Sequence, residues 1–309
     1  AGIDPDDAAS TTSPHAVDPA LRSPRTHAFS AATRHVRGGW TGGAHVSWRR
    51  LVRPLWRPLS NLGPGDYAIR GLVEGEIHGE PYRVGYYAPA SASLIVPGNG
   101  RLLANRAGYH QDAITAEITA AGRFKRARIE AWAAFTDWRE YFTDRERAVQ
   151  DPTSTESEPL RDGGPVAARP GGLGRGDLVV NARFTAGATV RLALPWRLEA
   201  IAVAHAREGF PIPYFQVADT GDPTGGGKAV LVAPRLDAFR LPALLLVDAR
   251  LSRETRAKGA SVTAYVDAFN LTNAATTLQA ARDVELTAID RPREIVRPRI
   301  FRAGVSVRF

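Results

Sequence analysis

The feature that most constrains this chain is a two-residue alternation of apolar and polar side chains, repeated in segment after segment. In the last segment Phe301, Val305 and Val307 fall on one face, with Arg302 and Arg308 on the other. Successive side chains of a β-strand point to opposite sides, so this pattern gives a strand one apolar and one polar face. A helix would scatter the same residues around its axis. The chain is therefore predicted to be all-β.

The alternation predicts about eleven strands. Several of them exceed the ~5–6 residues that are usual in soluble domains. Their apolar faces are rich in alanine and glycine, a composition that suits contact with lipid better than a close-packed core. The predicted strands are 26–37, 40–50, 65–75, 82–90, 109–121, 124–137, 177–190, 194–207, 242–254, 259–270 and 297–309.

The connections between these strands alternate between tight and long. Tight turns are predicted at Gly38–Gly39, near Gly122, near Leu192 and before Gly259. Short periplasmic turns that alternate with long external loops are typical of outer-membrane barrels. The long connections are polar and rich in Gly, Pro, Asp, Ser and Thr, which is a loop composition. They cover 138–176, 208–241 and 271–296.

The strand count also predicts how the chain divides. A complete bacterial barrel has an even number of strands, whereas eleven is odd. We therefore expect an antiparallel transmembrane β-barrel of which this chain is the C-terminal part, about half of a 22-stranded barrel. Residues 1–25 are predicted to be a loop or flexible end of a fragment, and residues 26–309 a partial outer-membrane barrel domain.

Composition removes several function classes. The 309 residues include no cysteine, which excludes disulfides and thiolate metal sites. No apolar run reaches the roughly 20 residues of a transmembrane helix. The net charge of +8 comes almost entirely from dispersed arginine without a nucleic-acid-binding motif, so no nucleic-acid partner is predicted. No serine-nucleophile or zinc-binding motif occurs, so we expect no enzyme, no metal site and no cofactor.

Several segments resemble the C-terminal barrel of TonB-dependent outer-membrane receptors, of the type with an N-terminal carboxypeptidase-regulatory-like domain. The most specific are the aromatic-Asn-Leu-x-Asn step at 269–273 and the terminal strand that ends in Phe309. The resemblance covers roughly residues 25–309. The other segments are Asn105–Gln111, Trp138–Phe142 with Asp151–Thr153, Leu194–Trp196, Arg207–Pro211, Tyr265–Ala268 and Pro298–Gly304.

The resemblance implies a place in the bacterial outer membrane and the uptake of an unidentified ligand. It also implies three sets of partners: outer-membrane lipid with lipopolysaccharide, the barrel assembly machinery, and the TonB system. In the family the TonB system acts through an N-terminal plug part, which is not found among these residues. The barrel assembly machinery is expected to read the terminal strand through Phe301, Val305, Val307 and Phe309.

Two further sets of side chains are candidates for function. In a barrel, charged residues on the polar faces are expected to point into the lumen, because mid-membrane arginine facing lipid costs ~2–4 kcal/mol. Aromatic residues near strand ends are expected to form interfacial girdles. The lumen candidates are Arg126, Arg128, Glu130, Asn181, Arg183, Glu199, Asp248 and Arg250. The girdle candidates are Trp40, Trp48, Trp138, Tyr141, Phe142 and Trp196.

Alternation alone leaves a second class of protein open. A soluble or surface-attached β-sandwich that binds a ligand such as a carbohydrate also has strands with one apolar face, which it buries against a second sheet. Long strands and the terminal phenylalanine favour the barrel. The two alternatives differ in what covers the apolar face.

Overall fold

A computed structural model describes most of the chain, and it is almost entirely β-structure with short 3-10 turns at Pro64–Asp66 and Pro195–Arg197. The described residues are 15–60, 62–91, 94, 100–143, 157–158, 163–166, 180–219, 228–257, 259–281, 284 and 289–308. The strands are β1 (Ala16–Val17), β2 (Arg25–Arg37), β3 (Trp40–Val52), β4 (Leu55–Trp56), β5 (Tyr67–Ile77), β6 (Glu80–Pro89), β7 (Leu102–Asn105), β8 (Tyr109–Phe124), β9 (Ala127–Phe142), β10 (Ser157–Glu158), β11 (Phe184–Ala193), β12 (Leu198–Arg207), β13 (Phe215–Ala218), β14 (Lys228–Leu231), β15 (Leu244–Ala257), β16 (Ala260–Phe269), β17 (Thr277–Ala280), β18 (Pro292–Ile295) and β19 (Ile300–Arg308).

Nine of these strands form one antiparallel sheet, as the alternation predicts for an all-β chain. Its order is β19-β16-β15-β12-β11-β9-β8-β3-β2, with β2 and β19 at its two edges. The pairings run through long unbroken registers, from Tyr109 opposite Phe142 to Phe124 opposite Ala127 in the longest. Sequence neighbours therefore pair wherever a tight turn joins them.

The tight turns that join strands of the nine-stranded sheet all lie at one border of it, which we call the turn edge. They join β2 to β3, β8 to β9, β11 to β12 and β15 to β16. Gly38 and Gly39 have positive φ, a conformation that a two-residue hairpin turn requires and that glycine adopts at little cost. The four long connections leave the opposite border, which we call the loop edge, so the predicted alternation of tight and long connections is present.

Nine strands in the sheet, rather than eleven, is a correction to the sequence-based count. The segments predicted at 65–75 and 82–90 form the hairpin β5–β6, which pairs with β10 in a separate sheet. Alternation indicates that one face of a strand is apolar, but neither what covers that face nor which sheet the strand joins. Here Val73, Ile77 and Val84 are buried in a core outside the large sheet.

Most strand bounds also move by a few residues, and two of these shifts have a clear physical reason. β11 begins at Phe184 rather than at 177, because the Arg183 amide donates to the Glu208 carboxylate (2.9 Å) instead of to a neighbouring strand. β8 continues past the turn predicted near Gly122 and ends at Phe124, where Lys125 adopts a positive φ. Both differences lie at strand ends, where local pattern is least decisive.

The well-buried apolar core lies at the loop edge, in what we call the loop-side body. It is built from β5, β6, β13, β14 and the segments beside them, and Val230 and Ala233 are fully buried there. The core residues are Val73, Ile77, Val84, Tyr86, Val180, Ile212, Tyr214, Phe215, Ala218, Ala229, Val230, Leu231, Val232, Ala233 and Leu236.

Within the described residues, no helix has the length and apolar character needed to cross a membrane.

Candidate functional site

The register of the large sheet gathers the apolar side chains of all nine strands on one face. Val190, Ala202, Ala249, Ala268 and Phe301 form one such row across five neighbouring strands. The same face continues through β9, β8 and β3. We call it the apolar face. Its larger members are Phe29, Val46, Ile114, Ile118, Phe135, Phe184, Val190, Leu192, Leu245, Leu251, Val266, Phe301, Val305 and Val307.

The apolar face is open. Phe301 is 64% exposed, Val305 67% and Ile118 62%. A soluble monomer rarely exposes a contiguous apolar patch larger than a few hundred Å². An apolar surface that extends over nine strands is therefore typical of a contact surface for lipid or for another protein.

Charged side chains border the apolar face at the loop edge. Arg50 forms a two-bond ion pair with Asp112 (2.6 and 2.7 Å), at the row next to Trp48 and Ile114. On the neighbouring strand β9, Arg139 pairs with Asp137 (2.7 Å). The apolar face thus ends in a rim of paired charges.

Glu208 continues this rim just beyond β12. It accepts hydrogen bonds from the Arg183 amide and guanidinium and lies 3.1 Å from Arg240. Burial by itself raises the pKa of a carboxyl group, but these donors and cations outweigh it and hold the pKa of Glu208 below its ordinary value. Glu208 therefore ties the start of β11 to the segment that leads into β15.

The six girdle candidates do not lie in one belt. Trp48 and Trp40 are on the apolar face, near the loop edge and the turn edge respectively. Trp196, in the 195–197 turn, is 79% exposed at the turn edge. By the alternation of β9, Tyr141 is on the same side of the strand as the apolar face, whereas Trp138 and Phe142 are on the opposite side.

Five of the eight lumen candidates share the opposite face, which we call the polar face. Arg128 and Glu130 form an ion pair on β9 (2.8 Å). Glu199, Asp248 and Arg250 lie on the same face of β12 and β15. The other three are outside the strands. Arg126 lies in the β8–β9 turn, and Asn181 and Arg183 precede β11.

Asp267 is the centre of a charge network on the polar face. Its carboxylate accepts two hydrogen bonds from Arg250 (2.6 and 3.0 Å) and two from Arg302 (3.1 and 2.7 Å). The Arg250 guanidinium also lies over the Tyr265 ring, 4.5 Å from its centroid. Asp267 therefore links β15, β16 and β19, and sequence reasoning did not single it out.

Aromatic side chains cover glycines across the strands of both faces. On the polar face, Trp132 lies over Gly187, and a Cβ added there would stand 2.6 Å from its indole nitrogen. On the apolar face, a Cβ at Gly122 would stand 2.2 Å from the Trp40 ring. Such contacts fix the register between neighbouring strands.

The terminal strand has the predicted face but not all of its predicted residues. Phe301, Val305 and Val307 lie on the apolar face of β19, which pairs with β16. Phe309 lies outside the described residues. The role of this strand as an assembly signal is a prediction that the geometry does not address.

The loop-side body contains a cleft of about 270 Å³. His78, at the tip of the β5–β6 hairpin, and Asp290, in a turn between β17 and β18, come together at this cleft over Tyr214. The remaining lining residues are mostly apolar. They are Ile212, Phe239, Arg240, Leu241, Pro242, Thr277 and Ala280.

The polar groups of the cleft form a chain of hydrogen bonds. The Tyr214 hydroxyl donates to Asp290, and its oxygen therefore accepts from Nε2 of His78 (3.0 Å). The same nitrogen lies 3.4 Å from the second oxygen of Asp290. Burial, and then the bond to Asp290, raises the pKa of Tyr214 above its ordinary value of 10.0. Tyr214 is thus a neutral donor held in place by its surroundings.

Within the residues that the structure describes, no group of three or more His, Cys, Asp or Glu side chains is arranged to hold an ion.

Sequence reasoning assigned 208–241 to a polar loop and missed the cleft. The signal that was present is the apolar run Ala229–Ala233, which indicates a buried strand. His78, Tyr214 and Asp290 lie far apart in sequence, and no local pattern connects them.

Comparison with known proteins finds structures but no sequence relatives. No protein-family model and no curated protein match the chain. The FrpB iron transporter from Neisseria meningitidis (F3-3 variant) is 11% identical, with a TM-score of 0.48 over 95% of this chain and 32% of that one. The outer membrane transporter YddB from Escherichia coli is 10% identical, with a TM-score of 0.48 over 93% of this chain and 33% of that one. The chain thus spans about a third of the length of these transporters.

Proposed function

We propose that the nine-stranded sheet is part of the wall of an outer-membrane β-barrel that takes up a ligand from outside the cell. The observation that carries the proposal is the exposed apolar face, which is continuous across nine strands and bordered by paired charges. In this arrangement lipid covers the apolar face. The polar face, with Asp267 and Arg128, faces the interior of the barrel.

The height of the apolar face fits a bilayer. On β11 it extends from Phe184 to Leu192, eight residue rises or roughly 27 Å along the strand. With the ~35–45° tilt of barrel strands this becomes roughly 20 Å, close to the ~25 Å apolar band of outer-membrane barrels. Trp48 lies near one border and Trp40 near the other, where amphipathic rings are favoured.

The two edges of the sheet suggest its orientation. Barrels of this class have short turns on the periplasmic side and long loops outside. The turn edge is therefore assigned to the periplasm, and the loop-side body with its cleft to the outside. The outer leaflet, with its lipopolysaccharide, would then contact the charged rim formed by Arg50 and Arg139 with their acidic partners.

The finer assignment is a TonB-dependent receptor. Its support is the sequence resemblance, above all the step from Phe269 to Asn273 and the apolar face of β19. The buried Asn270 of that step donates to the carbonyls of Ala274 and Arg297 and so anchors the connection from β16. In such a receptor the barrel assembly machinery would act on β19, and TonB would act through an N-terminal plug.

A soluble β-sandwich gains no specific support. It requires a second sheet over the apolar face, yet Phe301, Val305 and Ile118 are each more than half exposed in the described part of the chain.

The test is to express the chain with a signal peptide in a Gram-negative host and to fractionate the envelope. We expect recovery from the detergent-extracted outer membrane and reduced recovery when Phe309 is deleted. A folded, soluble monomer in the periplasm would refute the proposal.

A matched pair of arginine substitutions tests which face meets lipid. Ala202→Arg places a charge on the apolar face of β12 and should cost ~2–4 kcal/mol in a bilayer. Val203→Arg places the same charge on the polar face, opposite Asp248, and should be tolerated. Equal recovery of the two variants in the outer membrane would contradict the assignment of the faces.

A further inference from the structure

The strongest unassigned feature of the molecule is the cleft in the loop-side body. It combines an apolar wall, an open space of about 270 Å³ and the carboxylate of Asp290, which pairs with no arginine or lysine among the residues that the structure describes. Small-molecule sites are commonly concave and mostly apolar, with a few polar groups that fix the ligand's orientation.

Asp290 is the polar group that faces this space. Its side chain is 36% exposed, and one oxygen accepts the Tyr214 proton while the other lies 3.4 Å from His78. In the described part of the chain, His78 is the only basic side chain within ion-pair distance of Asp290. The carboxylate therefore keeps unused acceptor capacity towards the cleft.

Arg240 also lines the cleft, but it is committed elsewhere. Its guanidinium lies 3.1 Å from Glu208 and 3.5 Å from Asp237, and it donates to the Gly209 carbonyl (3.2 Å). With only 18% of its side chain exposed, it has little capacity left for an anionic ligand. The cleft therefore favours a cation over an anion.

The apolar wall adds a second point of recognition. The Phe239 ring packs against His78 (5.4 Å) and Tyr214 (5.2 Å), so it is held in position beside the carboxylate. An aromatic face next to a carboxylate attracts an organic cation through both the ring and the charge. Ile212 and Leu241 provide further apolar surface for the body of the ligand.

We propose that this cleft binds a small ligand with a primary ammonium group attached to an apolar body, the ammonium on Asp290 and the body against Phe239. This inference rests on the proposed function in one respect: that function assigns the cleft to the outside of the cell. A volume of about 270 Å³ suits a ligand of the size of a single aromatic amine.

The test uses the full chain in detergent micelles and three probes of nearly equal size: 2-phenylethylammonium, 2-phenylethanol and 3-phenylpropionate. Dissociation constants are measured by ligand-observed NMR. We expect the ammonium to bind about fivefold or more tightly than the alcohol, and the carboxylate most weakly. Equal affinities, or tighter binding of the carboxylate, would overturn the proposal.

Two variants locate the effect. Asp290→Asn keeps an acceptor for Tyr214 but removes the charge, and should abolish the preference for ammonium over alcohol. The control Asp18→Asn changes a remote carboxylate that caps Ala20, and should leave the preference intact. A preference that survives in Asp290→Asn would refute the site.

These outcomes are separate from those of the membrane test. A chain that enters the outer membrane but shows no ammonium preference would remove the cleft proposal alone. A soluble chain that shows the preference would remove the barrel and leave the cleft as the site of a binding module.

Discussion

The large sheet and the loop-side body place their side chains in opposite ways. In the body, Leu231 is 1% exposed and Tyr86 is buried, as in any soluble core. In the sheet, Phe301 is 64% exposed, whereas the buried positions include Asp267 and Ser252 of the polar face. One chain therefore follows two rules of burial.

The proposed position of the sheet in a membrane accounts for this difference. Water drives apolar side chains together in the body, because removing their surface from water is favourable. The apolar side chains of the sheet do not pack together in this way and stay exposed. The buried positions lie instead on the polar face, in ion pairs such as Asp267 with Arg250. A bilayer reverses the rule, since apolar contact with lipid carries no penalty.

The largest contrast is expected for a matched pair of leucines. Leu231→Ala should leave a cavity in the loop-side body and cost ~2–5 kcal/mol there. Leu251→Ala, on the open apolar face, leaves no protein-lined cavity and should change local opening by less than about 1 kcal/mol. Hydrogen exchange in micelles measures both. Equal costs would mean that the apolar face is packed against protein.

A smaller contrast is expected for two glycines on the apolar face. Gly122→Ala places a Cβ 2.2 Å from the Trp40 ring and should cost ~1–3 kcal/mol, because the ring or the strands must shift. Gly42→Ala meets nothing nearer than the Thr119 carbonyl at 3.9 Å and should be close to neutral. Thermal unfolding followed by gel mobility compares the two. A larger loss for Gly42→Ala would show that Trp40 does not lie over Gly122.

The polar face should respond to loss of charge. Asp267→Asn removes the negative partner of Arg250 and Arg302 but keeps an acceptor oxygen, so the unfolding temperature should fall. Glu130→Gln removes the exposed partner of Arg128 and should have little effect. Equal unfolding temperatures for the two variants would indicate that the Asp267 network does not link the strands.

The smallest effect is a pH dependence confined to the loop-side body. Because the pKa of Tyr214 is raised in the folded protein, its contribution is present below the ordinary value of 10.0 and is lost as the pH rises through the folded pKa. The body should therefore open more easily at pH 11 than at pH 9, and Tyr214→Phe should reduce this dependence. Near-ultraviolet circular dichroism during urea unfolding measures the difference. An unchanged dependence in the variant would assign it to another group.

The sequence was informative where structure depends on local pattern. Alternation predicted the faces of β9, β15 and β19, because side-chain direction in a strand repeats every two residues. The same principle misplaced β5 and β6, since alternation shows that a strand has an apolar face but not which sheet the strand joins. Trp138 and Phe142 were predicted as girdle residues together with Trp40 because all three lie near strand ends. That prediction did not consider which face of the strand each residue occupies.

Features that depend on distant contacts could not be predicted. Asp267 lies within a recognised segment, but its value as a link depends on Arg302, 35 residues away. The cleft requires the meeting of His78, Tyr214 and Asp290 from three separate connections. A local alternation of apolar and polar residues carries no information on contacts between such distant residues.

Because tight turns and long connections lie at opposite borders of the sheet, the two borders differ in how well they tolerate insertions during evolution. Closing a flexible connection costs only about 0.6 kcal/mol more for each doubling of its length. The connection 53–108 is about twice as long as 270–299, so the two differ little in this cost. Insertions are therefore thermodynamically inexpensive at the loop edge, whereas positive-φ turns such as Gly38–Gly39 tolerate few changes. The loop edge can therefore diversify in sequence while the nine-stranded sheet stays constant.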